Sequence, residues 1–320
     1  RSGAAASMPG MMETVLNVGL NDASVQGLAV QSGSERFAWD SYRRLVQMFG
    51  RTVLGIDGEL FDDAFDAVKR EQGTESDLDL DADHLRDVVA RFKAVVREQC
   101  GRDFPMDPRE QMDLAINAVF DSWNSDRAIV YRRRERIPSD AGTAVNVCAM
   151  VFGNLDDRSG SGVVFTRDPT TGEATPFGDY LARAQGEDVV AGTHAVHSLD
   201  ALRDQLPAVH AHLLDLLALL ETNYRDMCDV EFTVSDGELY LLQTRVGRRS
   251  PLAAVRIAVA MADQADFPLT RAEAVARVGQ DQLHQLANAG RVNPGAQPLA
   301  SGLAASPGVG VGILCTDPDR

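Results

Sequence analysis

The stretch that most constrains the fold is Asp229–Arg245, DVEFTVSDGELYLLQTR. Two β-prone runs flank Ser235-Asp236-Gly237, which predicts a hairpin. Residues two apart on a strand share a face, so Asp229 and Glu231 point one way and Val230, Phe232 and Val234 the other. On the return strand Gln243 and Arg245 share a face, with Tyr240 and Leu242 expected on the apolar side. The polar sets meet across the ladder only if paired residue numbers sum to an even value. A two-residue Asp236-Gly237 loop gives an odd sum and turns Glu231 towards Leu242. A three-residue Ser235-Asp236-Gly237 loop with Gly237 left-handed gives an even sum, and is the expectation.

Such a face carries two carboxylates, an amide and a guanidinium. Hard oxygen donors suit Mg²⁺, which is usually bound by one or two carboxylates plus phosphate oxygens. An arginine beside them grips phosphate through two hydrogen bonds. An exposed hairpin with solvated charges fits the same pattern.

With 320 residues, 44% of them hydrophobic, the chain can form two or three domains with real cores. A net charge of -16 argues against a broad nucleic-acid surface, though not against a local polyphosphate site. Cys100, Cys148, Cys228 and Cys315 lie far apart without CxxC spacing, which points to reduced thiols in the cytoplasm and away from zinc. No apolar run approaches the roughly 20 residues that cross a bilayer, so no membrane association is expected. The N-terminal residues lack the apolar core of a signal peptide and begin without methionine, which reads as a piece of a longer chain.

Residues 1–22 form a Gly/Ala/Ser-rich loop of the kind that brings backbone N–H groups to phosphate. Residues 37–105 repeat helical apolar spacing, with Trp39, Tyr42, Leu45, Val46 and Phe49 in the first stripe and Asp83 as a cap of the third helix. Residues 106–125 predict a helix with Pro108 near its start and Met112, Ile116, Val119, Phe120 and Trp123 as its stripe. Ala128–Tyr131 reads as a short strand ahead of a basic run, and Thr143–Phe152 as a buried central strand. Ser159–Gly162 reads as a loop leading into a Val163–Phe165 strand, followed by an Asp168–Gly172 turn. Ala184–Gly192 reads as a short strand or turn carrying Glu187 and Asp188. His194, His197, His210 and His212 lack zinc spacing and are expected at the surface. Pro251–Gln264 and Arg271–Leu286 predict helices, 293–298 a linker, and 302–314 the start of another β-rich unit.

Several of these stretches agree on one family. RSGAAASMPGMMETVLNVGLND, GTAVNVCAMVFGN, SGSGVVFTRDPTTGE, AQGEDVVAG, DVEFTVSDGELYLLQTR and GLAASPG resemble pyruvate, phosphate dikinase in the same order along the chain. The resemblance implies an α+β fold. An ATP-grasp nucleotide-binding domain would span 1–248, with an inserted helical subdomain at 20–105 and a second lobe at 152–248. A helical linker at 249–299 and the start of a phosphohistidine swivelling domain at 300–320 would follow. It also implies that Arg1 and Arg245 grip the ATP polyphosphate, and that Asp229, Glu231 and Gln243 hold Mg²⁺-ATP. Glu187 would be an active-site carboxylate, Ser7, Thr14 and Asn17 would close over the phosphates, and Met150 and Val151 would hold adenine through their backbone.

The family converts ATP, phosphate and pyruvate to AMP, diphosphate and phosphoenolpyruvate through a phosphohistidine, and the resemblance implies a homodimer for the full-length protein. This chain carries no TSH-type phosphohistidine motif, and Ala141 and Cys148 stand where tryptophan and glutamine are usual. A stand-alone nucleotide-binding or regulatory module, and a related dikinase such as phosphoenolpyruvate synthase, are the competing readings.

Overall fold

The computed structural model describes residues 1–6, 8, 10–190 and 196–289. The chain is α+β, with antiparallel sheets, and divides into two units, Arg1–Met150 and Val151–Arg320.

In the first unit β1 (Ser2–Gly3) pairs antiparallel with β2 (Ala144–Val145). Between them run α1 (Ser24–Ser32), α2 (Glu35–Thr52), α3 (Gly58–Gln72), α4 (Ala82–Cys100), α5 (Pro108–Asp121) and α6 (Asp126–Glu135). Side-chain caps fix where these helices start: Ser34, Asp57, Asp81, Asp107 and Ser125 each accept a backbone N–H of the first turn. Left-handed Gly73 and Gly101 end α3 and α4. The core lies between α2, α3 and α4, where Tyr42, Leu45, Phe49, Phe61, Leu85 and Phe92 are fully buried. Phe61 and Phe92 meet edge to face at 5.2 Å.

Buried Gln111 ties the 17–20 loop to α5. It accepts the Gly19 N–H at 2.7 Å and donates to the Leu20 and Pro105 carbonyls at 3.0 and 2.8 Å.

The second unit contains β3 (Gly160–Phe165), β4 (Phe177–Ala182), α7 (Gly186–Val190), β5 (His197–Ser198), α8 (Leu199–Gln205) and α9 (Pro207–Tyr224). They are followed by β6 (Cys228–Ser235), β7 (Glu238–Val246), α10 (Pro251–Asp263), α11 (Arg271–Arg277) and α12 (Gln280–Ala289). The sheet order is β5-β4-β3-β6-β7, antiparallel throughout. Leu199 and Leu202 of α8 and Leu213 and Leu217 of α9 cover one sheet face, against Val164, Tyr180, Val230, Phe232 and Val234. Gly162 lies opposite Phe232, and a Cβ there would come within 2.4 Å of its ring. The bare backbone is what lets Phe232 and Tyr180 lie parallel, 6.3 Å apart.

The C-terminal helices pack on the end of this sheet through Met227, Ile257, Met261, Phe267 and Leu269. Buried Asp226 accepts both ends of the Arg249 fork, and Arg277 of α11 lies 3.7 Å from it.

Several expectations are corrected. Asp81, not Asp83, caps α4, in a capping box with His84. On α5 the buried stripe is Gln111, Ala115 and Val119, and Phe120 is exposed. Ala128–Tyr131 is helical: the Ser125 cap starts α6, and Arg132 stacks over Trp123 at 4.1 Å, so tertiary contacts override the β-branched pair. Thr143–Phe152 is not a buried strand; only Ala144–Val145 pair, Val147 is exposed, and the segment crosses from one unit to the next. β3 begins at Gly160, and β4 carried no expectation. Residues 186–190 are helical rather than extended. Arg271–Leu286 breaks into α11 and α12. His194 and the 293–298 and 302–314 segments lie outside the described residues.

Candidate functional site

The β6–β7 hairpin turns through Asp236 and Gly237 alone, with φ of 49° and 78°. Two central residues of positive φ form the turn type whose twist matches a hairpin. The expected three-residue loop is therefore corrected, and near the turn the pairing sum is odd: Ser235 faces Glu238, Val234 faces Leu239 and Phe232 faces Leu241. Leu239 and Leu241 consequently join the core, while Tyr240 is exposed, reversing the expected faces of that strand. A β-bulge between Glu231 and Phe232 then adds one residue to β7. Beyond it Glu231 faces Gln243 and Asp229 faces Arg245. The four polar residues share a face, by a route the alternation rule does not contain.

Across the sheet, that face has three rows. One runs Asp179, Val163, Glu231, Gln243; the next Phe177, Phe165, Asp229, Arg245; the third Leu181, Ser161, Thr233, Tyr240. Arg245 Nε donates to Asp229 Oδ2 at 2.7 Å, and its Nη2 donates to Glu231 Oε1 at 2.6 Å. Burial works against the guanidinium's charge, but the two carboxylates outweigh it and raise its pKa. Asp229 Oδ1 is buried without a hydrogen-bond partner. Among the described residues no three or more His, Cys, Asp and Glu side chains cluster to hold a metal. The face offers two carboxylates and an amide, which suits a hard cation that brings further oxygens with it.

Ser161 and Thr233 attach the AQGE segment to this face. Their hydroxyls lie 3.1 Å apart, and Ser161 Oγ donates to the Ala184 carbonyl at 2.9 Å. Gly153 fits against the same junction, where a Cβ would meet Ala184 O and Ser161 Oγ at 2.3 Å. Val151, two residues earlier, is half-buried. Glu187 and Asp188 stand in the first turn of α7, which lies against β3, β4 and β6, and Asp188 accepts the Gln185 N–H at 2.9 Å.

Thus Val151, Glu187, Asp229, Glu231, Gln243 and Arg245 belong to one unit, with the last four on one sheet face. Arg1, Thr14, Asn17 and Met150 belong to the other. There Arg1 is tied to the Asn146 backbone, Thr14 is exposed, and Asn17 is buried at φ 60°. Ser7 lies outside the described residues. Sequence reasoning missed Ser161 and Thr233, because SGSG reads as a loop and Thr233 as one more β-former. It also missed Asp179, in the row of Glu231, whose carboxyl pKa is raised by burial.

The family model described as "Pyruvate phosphate dikinase, AMP/ATP-binding domain" matches residues 1–214. Pyruvate, phosphate dikinase of Clostridium symbiosum is 47% identical over 317 residues, covering 98% of this chain and 36% of that protein. The chloroplastic pyruvate, phosphate dikinase of Flaveria pringlei is 49% identical over 315 residues, covering 98% and 33%. That of Oryza sativa subsp. japonica is 48% identical over 317 residues, with the same two shares. The chain spans about a third of the length of these relatives. The family match stops before β6, so similarity over the hairpin rests on the relatives.

Proposed function

Because this chain belongs to the family of the pyruvate phosphate dikinase AMP/ATP-binding domain, we propose that it is the ATP-binding part of a dikinase that converts ATP, phosphate and pyruvate to AMP, diphosphate and phosphoenolpyruvate. Residues 1–248 are then an ATP-grasp domain, with an inserted helical subdomain at 20–105 and a second lobe at 152–248, and residues 249–299 are a linker towards a phosphohistidine domain. The observation that carries this reading is the shared face of Asp229, Glu231, Gln243 and Arg245.

Asp229, Glu231 and Gln243 would hold Mg²⁺. The buried, unpartnered Asp229 Oδ1 and the all-oxygen donor set fit such an ion. When bound, Mg²⁺ supplies positive charge against the phosphate oxygens as the phosphate chain is cleaved. The chain's own groups do the rest. Arg245 and Arg1 present guanidinium forks that match phosphate in shape and charge. Glu187 is held near the sheet by the junction at Ala184, and Ser7, Thr14 and Asn17 would contact the phosphates. Met150 and Val151 would offer backbone groups to adenine. Most of the catalytic effect is positioning and charge neutralisation, with little covalent work for the protein.

Calorimetric titration with Mg-ATP tests this. Glu231→Gln keeps the shape of the face and removes one charge. It should lower Mg-ATP affinity on the order of 10–100-fold, the cost of one charged contact. Unchanged affinity would remove Glu231 from the seat and the reading with it.

A further inference from the structure

One guanidinium spans both carboxylates of the seat. Arg245 Nε reaches Asp229 and Nη2 reaches Glu231, with side chains 19% exposed for Arg245 and 14% for Asp229. In such a half-desolvated setting ion pairs are screened far less than at the surface. Two carboxylates and a guanidinium leave one net negative charge, and the positive group holds one oxygen of each carboxylate, Asp229 Oδ2 and Glu231 Oε1, on the same carboxylate as the unpartnered Asp229 Oδ1 in the first case. No third acid relieves this, since no cluster of three or more potential ligands exists among the described residues.

We infer that Arg245 is a placeholder cation, which keeps a bare divalent ion off Asp229 and Glu231 and releases them when a polyphosphate takes up its guanidinium. The inference rests on the reading of this face as the Mg-ATP seat. A guanidinium and a divalent ion that share the same two carboxylates divide their negative charge and repel each other at that distance. Phosphate oxygens shift the balance twice. They match the arginine fork in a bidentate geometry that two separate carboxylates cannot offer. They also add negative charge and ligands for the ion. Arg245 need only rotate its side chain, because its backbone stays in register with Asp229. Metal and nucleotide therefore enter together, and the seat is closed to metal alone.

The test compares bare Mn²⁺ binding, followed by electron paramagnetic resonance on the full chain without nucleotide, with calorimetric Mg-ATP binding. Wild type should take up Mn²⁺ weakly. Arg245→Gln should bind Mn²⁺ at least roughly tenfold more tightly, a shift of one factor of ten per lost ion-pair competitor, while binding Mg-ATP more weakly. Arg245→Lys keeps the charge and should show no such gain. Unchanged or weaker Mn²⁺ binding in Arg245→Gln, or an equal gain in Arg245→Lys, overturns the inference.

A second measurement needs no variant. In wild type, Mn²⁺ alone should leave the Arg245 Nε–H nuclear magnetic resonance unbroadened, and Mn²⁺ with ATP should broaden it. Broadening by Mn²⁺ alone overturns the inference. Wild type that takes up no Mg-ATP overturns the seat reading itself. Wild type that binds Mg-ATP while Arg245→Gln gains nothing overturns only the placeholder role.

Discussion

Glu231 faces Gln243 across the β6–β7 ladder because Leu242 is one residue too many between Gln243 and Leu241. The turn sets an odd pairing sum, the bulge converts it to an even one, and the polar face forms only beyond the conversion. A hairpin built on two left-handed residues alone would have placed Leu242 against Glu231. Removing Leu242 leaves a regular ladder in which Gln243 still meets Glu231 and Arg245 still meets Asp229. A Leu242 deletion is therefore expected to fold and to keep Mg-ATP binding, measured by calorimetry. Complete loss of binding in a folded deletion variant would show that the extra twist of the bulge, rather than the register, aims Gln243.

Asp40 gives a pH prediction. It is buried on α2, where its carboxylate accepts Arg43 Nε at 2.9 Å and Arg44 Nε at 3.0 Å. Burial alone would raise its pKa, but the two guanidinium groups outweigh it and hold the carboxyl well below its ordinary value of 3.8. A folded-state pKa below the unfolded one adds stability that is fully present above the unfolded value and fades as pH falls through the folded one. Asp40→Asn should therefore be less stable than wild type at neutral pH, because two guanidinium groups lose their shared carboxylate. The gap should shrink as pH is lowered below 3.8. Urea unfolding at neutral pH and at about pH 2 checks this; a gap that stays constant would show that Asp40 is not the titrating group.

The sequence made the polar residues of the hairpin legible, because Asp229 and Glu231 are two apart on one strand and Gln243 and Arg245 two apart on the other, beyond the bulge. It did not make their meeting legible, since a bulge has no composition signal of its own at Leu241-Leu242-Gln243. The helices at 35–100 were readable from apolar spacing, but not the exact start of α4, which Asp81 caps in place of Asp83. Ala128–Tyr131 was misread because local β-propensity is weak against a cap and a stacked Trp123–Arg132 pair. Phe177–Ala182 went unseen as a strand because Gly178 and Asp179 break its apolar pattern; its place comes from pairing with β3 and from the fit of Tyr180 over Gly160. The apolar run 143–152 looked buried because composition does not tell a central strand from a connection between units.

The Ser161–Thr233 pair makes the last prediction, because it links the sheet to the AQGE segment. Ser161 is buried and is the group that donates to the Ala184 carbonyl, while Thr233 only supports that hydroxyl from the next strand. Ser161→Ala leaves a buried carbonyl short of a partner, at about 1–3 kcal/mol, and frees the segment that carries Glu187. The core on the other sheet face is untouched, so the variant should fold with a modestly lower unfolding midpoint. Its Mg-ATP affinity should fall by roughly tenfold, as expected when about 1.4 kcal/mol of positioning is lost. Thr233→Val should have the smaller effect on both measurements, since Ser161 still reaches Ala184. A larger loss of Mg-ATP binding in Thr233→Val than in Ser161→Ala would show that Thr233 acts at the nucleotide itself, and that the link through Ala184 does not place Glu187.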